Sequence, residues 1–168
     1  MQEPPVTAAD PAEPKGLSWG LESRLQFIDF RLRWERRINR MDLTEHFGIS
    51  IPQASLDIAK YTELAPNNLI YDRSSKTYTA APSFHPLYQR SSVQHYLAEL
   101  LATKMGVIEP ASSFIGSAPE ADWAPSPWRT INEQTVEAVV RAIRQQEAIW
   151  VSYQSMTSLD ESVRLLSP

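Results

Sequence analysis

The stretch "LTEHFGISIPQASLDIAKY", Leu43 to Tyr61, constrains the fold of this chain more than any other. Two helical patterns flank a break of a few residues. Gly48 ends the first, where the backbone must turn through positive φ. Ser50 is placed to cap the second, and Pro52 sits in its first turn, where a missing N–H is harmless. Ala54, Ile58 and Tyr61 lie at i, i+4 and i+7, so one stripe of that helix faces a core. Leu43, Phe47 and Ile49 pack the first helix onto it. Ile51, Pro52, Gln53, Ser55, Leu56 and Lys60 are left facing outward near the start of the second helix.

The flanking residues extend this unit. Leu21, Leu25, Ile28 and Leu32 form one helical stripe and Phe27, Phe30 and Trp34 another, so this helix needs covering over a broad arc. Its end, "RWERRINR", is cationic, which suits the negative end of a helix dipole. Asp42 is the expected N-cap of the short helix "DLTEHF". The third helix runs to about Leu64 and stops before "APNN". Leu69–Asp72 and Lys76–Thr79 then read as short strands joined by "RSSK". Three helices followed by a hairpin is the order of a winged helix-turn-helix, so the fold class is α+β.

In such a motif the start of the second helix of the pair enters the major groove of DNA. The expected DNA surface is Ser50, Ile51, Pro52, Gln53, Ser55, Leu56 and Lys60, with Arg73 and Lys76 of the hairpin. Gln53 can reach N6 and N7 of an adenine, Ser55 a base or phosphate, and Leu56 or Ile51 a thymine methyl. Lys60, Arg73 and Lys76 would meet phosphates, which position without reading sequence. The alternative is a winged helix that docks a protein and touches no DNA. The net charge of −4 resolves unevenly: residues 20–90 hold ten Lys or Arg against eight acids, a balance of +2, and residues 91–168 hold five against nine, −4. Phosphate affinity follows the local field, so the global balance neither excludes nor supports DNA binding.

Residues 1–16 read as a disordered tail, 17–90 as the winged helix-turn-helix, 91–129 as a helix and Pro-rich connector, and 130–168 as the start of a second domain. Ser92 caps the helix "SSVQHYLAELLATKMG", with Val93, Tyr96, Leu97, Leu100 and Leu101 as its stripe and Gly106 as its end. "EPASSFIGSAPEADWAPSPWR" reads as an extended connector, whose Trp123 and Trp128 pin it to neighbouring helices. "TINEQTVEAVVRAIRQQE" is a helix with Ile131, Val136, Val139, Val140 and Ile143 inward. "AIWVSYQSMT" alternates as a strand, with Ile149, Val151 and Tyr153 on one face, and "SVRLLSP" is a second strand. One helix and two strands do not close a core, so further chain or a partner is expected to complete this part.

The exclusions are firm where chemistry sets them. The chain has no cysteine, hence no disulfide and no thiolate metal site. His46, His85 and His95 are scattered without metal-ligand spacing. With five glycines there is no phosphate-cradling loop, and no Ser–His–Asp set can be assembled. No cofactor, no metal and no catalysis are expected. A hydrophobic fraction of 42% without a membrane-length apolar run, and the lack of a signal-like N-terminus, point to a cytoplasmic protein.

Three blocks, "FGISIPQASLDIAKY", "NNLIYDRSSKTYTAAPSFHP" and "VEAVVRAIRQQEAIWVSYQSMTS" with "RLLSP", resemble the WYL-domain transcriptional regulators, in particular the dimeric repressors beside phage-defence loci of BREX and CBASS type. The resemblance covers about residues 20–168. It implies a homodimeric repressor on an inverted-repeat operator in double-stranded DNA. It also implies a C-terminal SH3-like β-barrel that senses a nucleotide or nucleic-acid-derived ligand. Tyr153, Gln154, Ser155 and Arg164 match positions near the expected pocket, with Arg164 the natural partner of a phosphate. The tripeptide that names the family does not occur in this sequence.

Overall fold

The computed structural model describes residues 16–121, 132–154 and 161–167. The chain divides into two compact units, with the division between Gly116 and Ser117. The expected contacts of Trp123 and Trp128, the inward position of Ile131, and Ser155 lie outside the described residues.

The first unit is built around α1 (Trp19–Glu35), whose Leu25, Phe27, Ile28, Phe30, Leu32 and Trp34 are all buried. A helix apolar over so wide an arc is stable only when neighbours cover it from several sides. Those neighbours are α2 (Arg40–Phe47), α3 (Ile51–Leu64), a three-stranded sheet, and a short 3-10 turn (Gln89–Ser91) leading into α4 (Val93–Lys104).

Two expectations about α1 and α2 need correction. The cationic run after Trp34 does not continue the helix. It ends at Glu35, Arg36 takes the left-handed conformation (φ 61°), and Arg37–Ile38 form a strand, β1. Pairing with a distant strand gives this segment backbone partners and buries Ile38, which a longer helix would not do. Nor is Asp42 the N-cap of α2. Asn39 caps it: its Oδ1 accepts from Asp42 N at 3.0 Å, and Asp42 Oδ2 accepts from Asn39 N at 2.7 Å. This reciprocal box satisfies two otherwise orphaned N–H groups, so the helix starts two residues earlier than Asp42.

The hairpin comprises β2 (Leu69–Asp72) and β3 (Thr77–Ala80), with β3 central in the antiparallel order β1-β3-β2. Lys76 is not the first residue of the second strand. It closes the turn in the left-handed region (φ 55°), and pairing starts at Asp72↔Thr77.

One buried carboxylate ties the unit together. Asp29 of α1 is wholly buried, and among the described residues no cation pairs with it. Its Oδ1 accepts from Tyr61 Oη (2.6 Å) and Leu87 N (3.0 Å), and its Oδ2 from Ser91 Oγ (2.5 Å) and Tyr88 N (3.3 Å). Asn68 extends the network, donating to Tyr61 Oη at 3.0 Å and to the His85 carbonyl at 2.6 Å. The loop after the hairpin is thereby fixed to α1 and α3 by polar contacts that no apolar stripe reveals.

The first part of the Pro-rich segment is also not a free connector. After α4 a 3-10 turn (Pro110–Ser112) leads to Ser113, Phe114 and Ile115, all buried. The Glu99 carboxylate accepts from Ser113 Oγ (2.7 Å) and from Phe114 N. Phe114 packs edge-on against Phe27, Phe30, His46 and Phe47, filling an aromatic hole between α1 and α2. Burial of that ring is what recruits the strap.

The second unit comprises α5 (Glu133–Gln145) and the antiparallel strands β4 (Ile149–Gln154) and β5 (Glu161–Leu166). Asn132 caps α5 through Thr135 N at 3.0 Å. Val140 and Ala142 are buried and Val136 and Ile143 half-buried, but Val139 is exposed. It stands three residues after Val136 and four before Ile143, at the edge of the same face, and is left uncovered there rather than pointing inward as expected. Trp150, Val163 and Leu165 share one exposed face of the strand pair.

Candidate nucleic-acid interface

Helix α3 begins as its sequence dictates. Gly48 takes φ 65°, Ser50 Oγ accepts from Gln53 N at 3.3 Å, and Pro52 occupies the first turn. Ala54, Ile58 and Tyr61 are buried as their spacing predicts, and Asp57 is buried with them. Ile51 and Leu56 are 54% and 65% exposed, and Pro52 is exposed beside them. Large apolar side chains standing free at a helix N-terminus suit contact with something apolar outside the chain, such as a base methyl.

The polar members of the expected surface are held by neighbours. Gln53 Nε2 donates to Asp57 Oδ1 at 2.9 Å, and Asp57 receives the Arg24 fork at 2.6 and 3.3 Å. Arg24 thus neutralises a buried carboxylate of α3 that would otherwise carry uncompensated negative charge. Ser55 Oγ donates to the Ile51 carbonyl (3.0 Å) and accepts from Arg40 Nε (2.9 Å). Lys60 pairs with Glu63 at 2.9 Å on the surface, an exposed pair that solvent screens and a phosphate can displace.

In the wing, Arg73 and Lys76 are exposed around a turn organised by Asp72. Its carboxylate accepts from Ser74 N (2.9 Å), Ser74 Oγ (2.7 Å) and Ser75 Oγ (2.7 Å), and these bonds hold its pKa down to about 2. The wing tip is therefore shaped by an ionised acid with two cations at its rim. Tyr71 and Tyr78, directly paired across β2 and β3, touch at 4.8 Å between ring centroids.

Arg40 was not among the expected contact residues, yet it stands between α3 and the wing. It reaches Ser55 through Nε and Tyr78 Oη through Nη2 at 3.0 Å, with the guanidinium 5.6 Å from the Tyr78 ring. Its only signal in the sequence is membership of the run of six arginines between Arg24 and Arg40.

In the second unit, the Arg164 guanidinium lies 4.8 Å from the ring of Tyr153, which is 46% exposed. Gln154 ends β4, paired in register with Glu161. The histidines have local roles: His46 stacks on Phe27 at 4.6 Å, His85 N donates to Asn68 Oδ1, and His95 contacts Ser92 Oγ.

Residues 20–102 match the BrxR transcriptional regulator winged helix-turn-helix domain. Over these residues the chain is similar to that family. The match spans α1 through most of α4, and so takes in the hairpin and the polar network around Asp29. The chain is also 46% identical over 154 residues to a DNA-binding transcriptional repressor CapW of Escherichia coli (strain KTE188), covering 92% of this chain and 52% of that protein. A protein of the same name from Pseudomonas aeruginosa is 44% identical over the same shares, and one from Stenotrophomonas maltophilia is 44% identical over 89% of this chain and 50% of its own length. The chain thus spans about half the length of the curated relatives it matches. Among the described residues no helix is long and apolar enough to cross a membrane.

Proposed function

We propose that this chain is the DNA-reading part of a transcriptional repressor. The observation that carries the reading is the start of α3, where Ile51, Pro52 and Leu56 project into solvent beside a wing bearing Arg73 and Lys76. A groove-entering helix and a phosphate-gripping wing need that juxtaposition. The similarity to repressors named for DNA binding supports it. Gln53, Leu56 and Ile51 face base edges and Lys60, Arg73 and Lys76 face phosphates, while Ser50 and Ser55 hold the shape of the helix start between them.

The protein acts as a homodimer on an inverted repeat, its two α3 helices entering major grooves about 34 Å apart. Residues beyond α5 begin a WYL-type barrel in which Tyr153, Gln154, Ser155 and Arg164 meet a nucleotide or nucleic-acid-derived ligand, and the controlled genes are those of a phage-defence operon. The sequence resemblance to such regulators supports this part. Footprinting on the DNA upstream of its own gene tests the reading: two protected major-groove patches about one helical turn apart are expected. Protection indistinguishable from that of unrelated DNA would refute a specific operator there.

A further inference from the structure

We propose that Arg40 is the positioning residue that locks α3 and the wing into one geometry, and so sets how sharply the protein tells its site from other DNA. The inference rests on the DNA-binding reading above. Arg40 opens α2, yet its fork spans two other elements: Nε donates to Ser55 Oγ on α3 at 2.9 Å, and Nη2 to Tyr78 Oη on β3 at 3.0 Å. Tyr78 is fixed in turn by its cross-strand partner Tyr71 and by pairing with β1. Arg40 thereby links the helix that would enter the groove to the hairpin that would grip the backbone.

The bonding inventory of Ser55 supports a positioning role. A hydroxyl has one donor and two acceptor positions. The donor is committed to the Ile51 carbonyl and one acceptor to Arg40, so Ser55 can offer a base at most one acceptor. Its main effect is to tie Arg40 to the first turn of α3, which fixes the register of the exposed Ile51 and Leu56. A planar fork can hold two acceptors at a set angle; a lysine ammonium, a point charge on a flexible stem, cannot. Charge and geometry are therefore separable at this position.

The test uses Arg40→Lys, with Ser55→Ala and Tyr78→Phe each deleting one arm. A duplex selected in vitro by the parent protein and a scrambled duplex of equal length serve as probes. Arg40→Lys should lower the ratio of selected to scrambled affinity about tenfold while leaving scrambled affinity within about twofold, because charge is kept and geometry lost. Each arm variant should lower the ratio by less, and adding either to Arg40→Lys should change nothing further.

The chain has no cysteine, so spin labels at Leu56→Cys and Arg73→Cys report the helix-to-wing distance without DNA. That distance distribution should broaden in Arg40→Lys. An unchanged narrow distribution overturns the clamp whatever the DNA does. Equal loss on both duplexes makes Arg40 a plain phosphate contact and also overturns it. A parent protein that binds neither duplex at low salt refutes the DNA-binding reading itself, and the specificity role falls with it.

Discussion

Tyr61 of α3 donates a 2.6 Å hydrogen bond to Oδ1 of Asp29 on α1, and both residues lie at zero solvent exposure. A buried carboxylate without a cation is costly unless its lone pairs are occupied, and here four donors occupy them. Burial raises the Asp29 pKa against the lowering effect of those bonds, and burial together with the neighbouring Asp29 carboxylate pushes the Tyr61 phenol well above its ordinary range. The pair fixes α3 to the rest of the domain. Asp29→Asn should therefore destabilise the domain by about 2 kcal/mol, because an amide N–H₂ would face donors. Urea unfolding at neutral pH measures it. The sign with pH is also set: the folded state holds the proton above the unfolded value of 3.8. Stability contributed by Asp29 thus falls as pH rises from 3.8 through the higher folded pKa, and this trend should vanish in the variant.

Phe114 gives a second expectation. Its ring is 3% exposed and meets Phe27, Phe30, His46 and Phe47, residues of α1 and α2 far away in sequence. Phe114→Ala should cost about 3 kcal/mol through the cavity it leaves. Hydrogen exchange should show α2 loosened along with the strap, whereas exchange confined to residues 110–116 would show that the strap carries no load for α2.

The domain should respond to acid in two separate windows. Burial, with smaller contributions from Arg31 and Arg90, lowers the His46 pKa below 6.5. A lowered histidine contributes stability that is complete above 6.5 and lost as pH falls toward its folded value. Asp72, held at about 2 against 3.8 unfolded, contributes stability that is complete above 3.8 and lost on the way down to 2. In a pH series of thermal midpoints His46→Gln should flatten the upper window and Asp72→Asn the lower one. NMR titration of the Asp72 carboxyl should show a midpoint near 2.

The helix-turn-helix and the hairpin were legible because their signals are local. Gly48, Ser50 and Pro52 mark a turn and a helix start within five residues, and Ala54, Ile58 and Tyr61 state the buried face by spacing alone. The rest was hidden because it depends on residues distant in the chain. β1 is two residues long and exists only through pairing with β3, Arg37↔Thr79 and Ile38↔Tyr78. The partners of Asp29 are 32 to 62 positions away. Phe114 lies among prolines that imitate a linker, and Arg40 earns its position through Ser55 and Tyr78, 15 and 38 residues on. Within α3, the structure puts Asp57 in the buried stripe and gives Gln53 an intramolecular partner, neither of which periodicity alone distinguishes.

If α3 and the wing grip DNA as proposed, fluorescence anisotropy of a random-sequence duplex across a salt series will register it. Any protein that reads DNA in this way also binds it non-specifically at low salt, with log affinity falling by about 0.9 per log salt for each phosphate met. Binding is expected at about 50 mM salt, with a slope smaller by about one unit in each of Arg73→Ala and Lys76→Ala. No binding by the parent protein at low salt, or slopes unmoved in both variants, would contradict it.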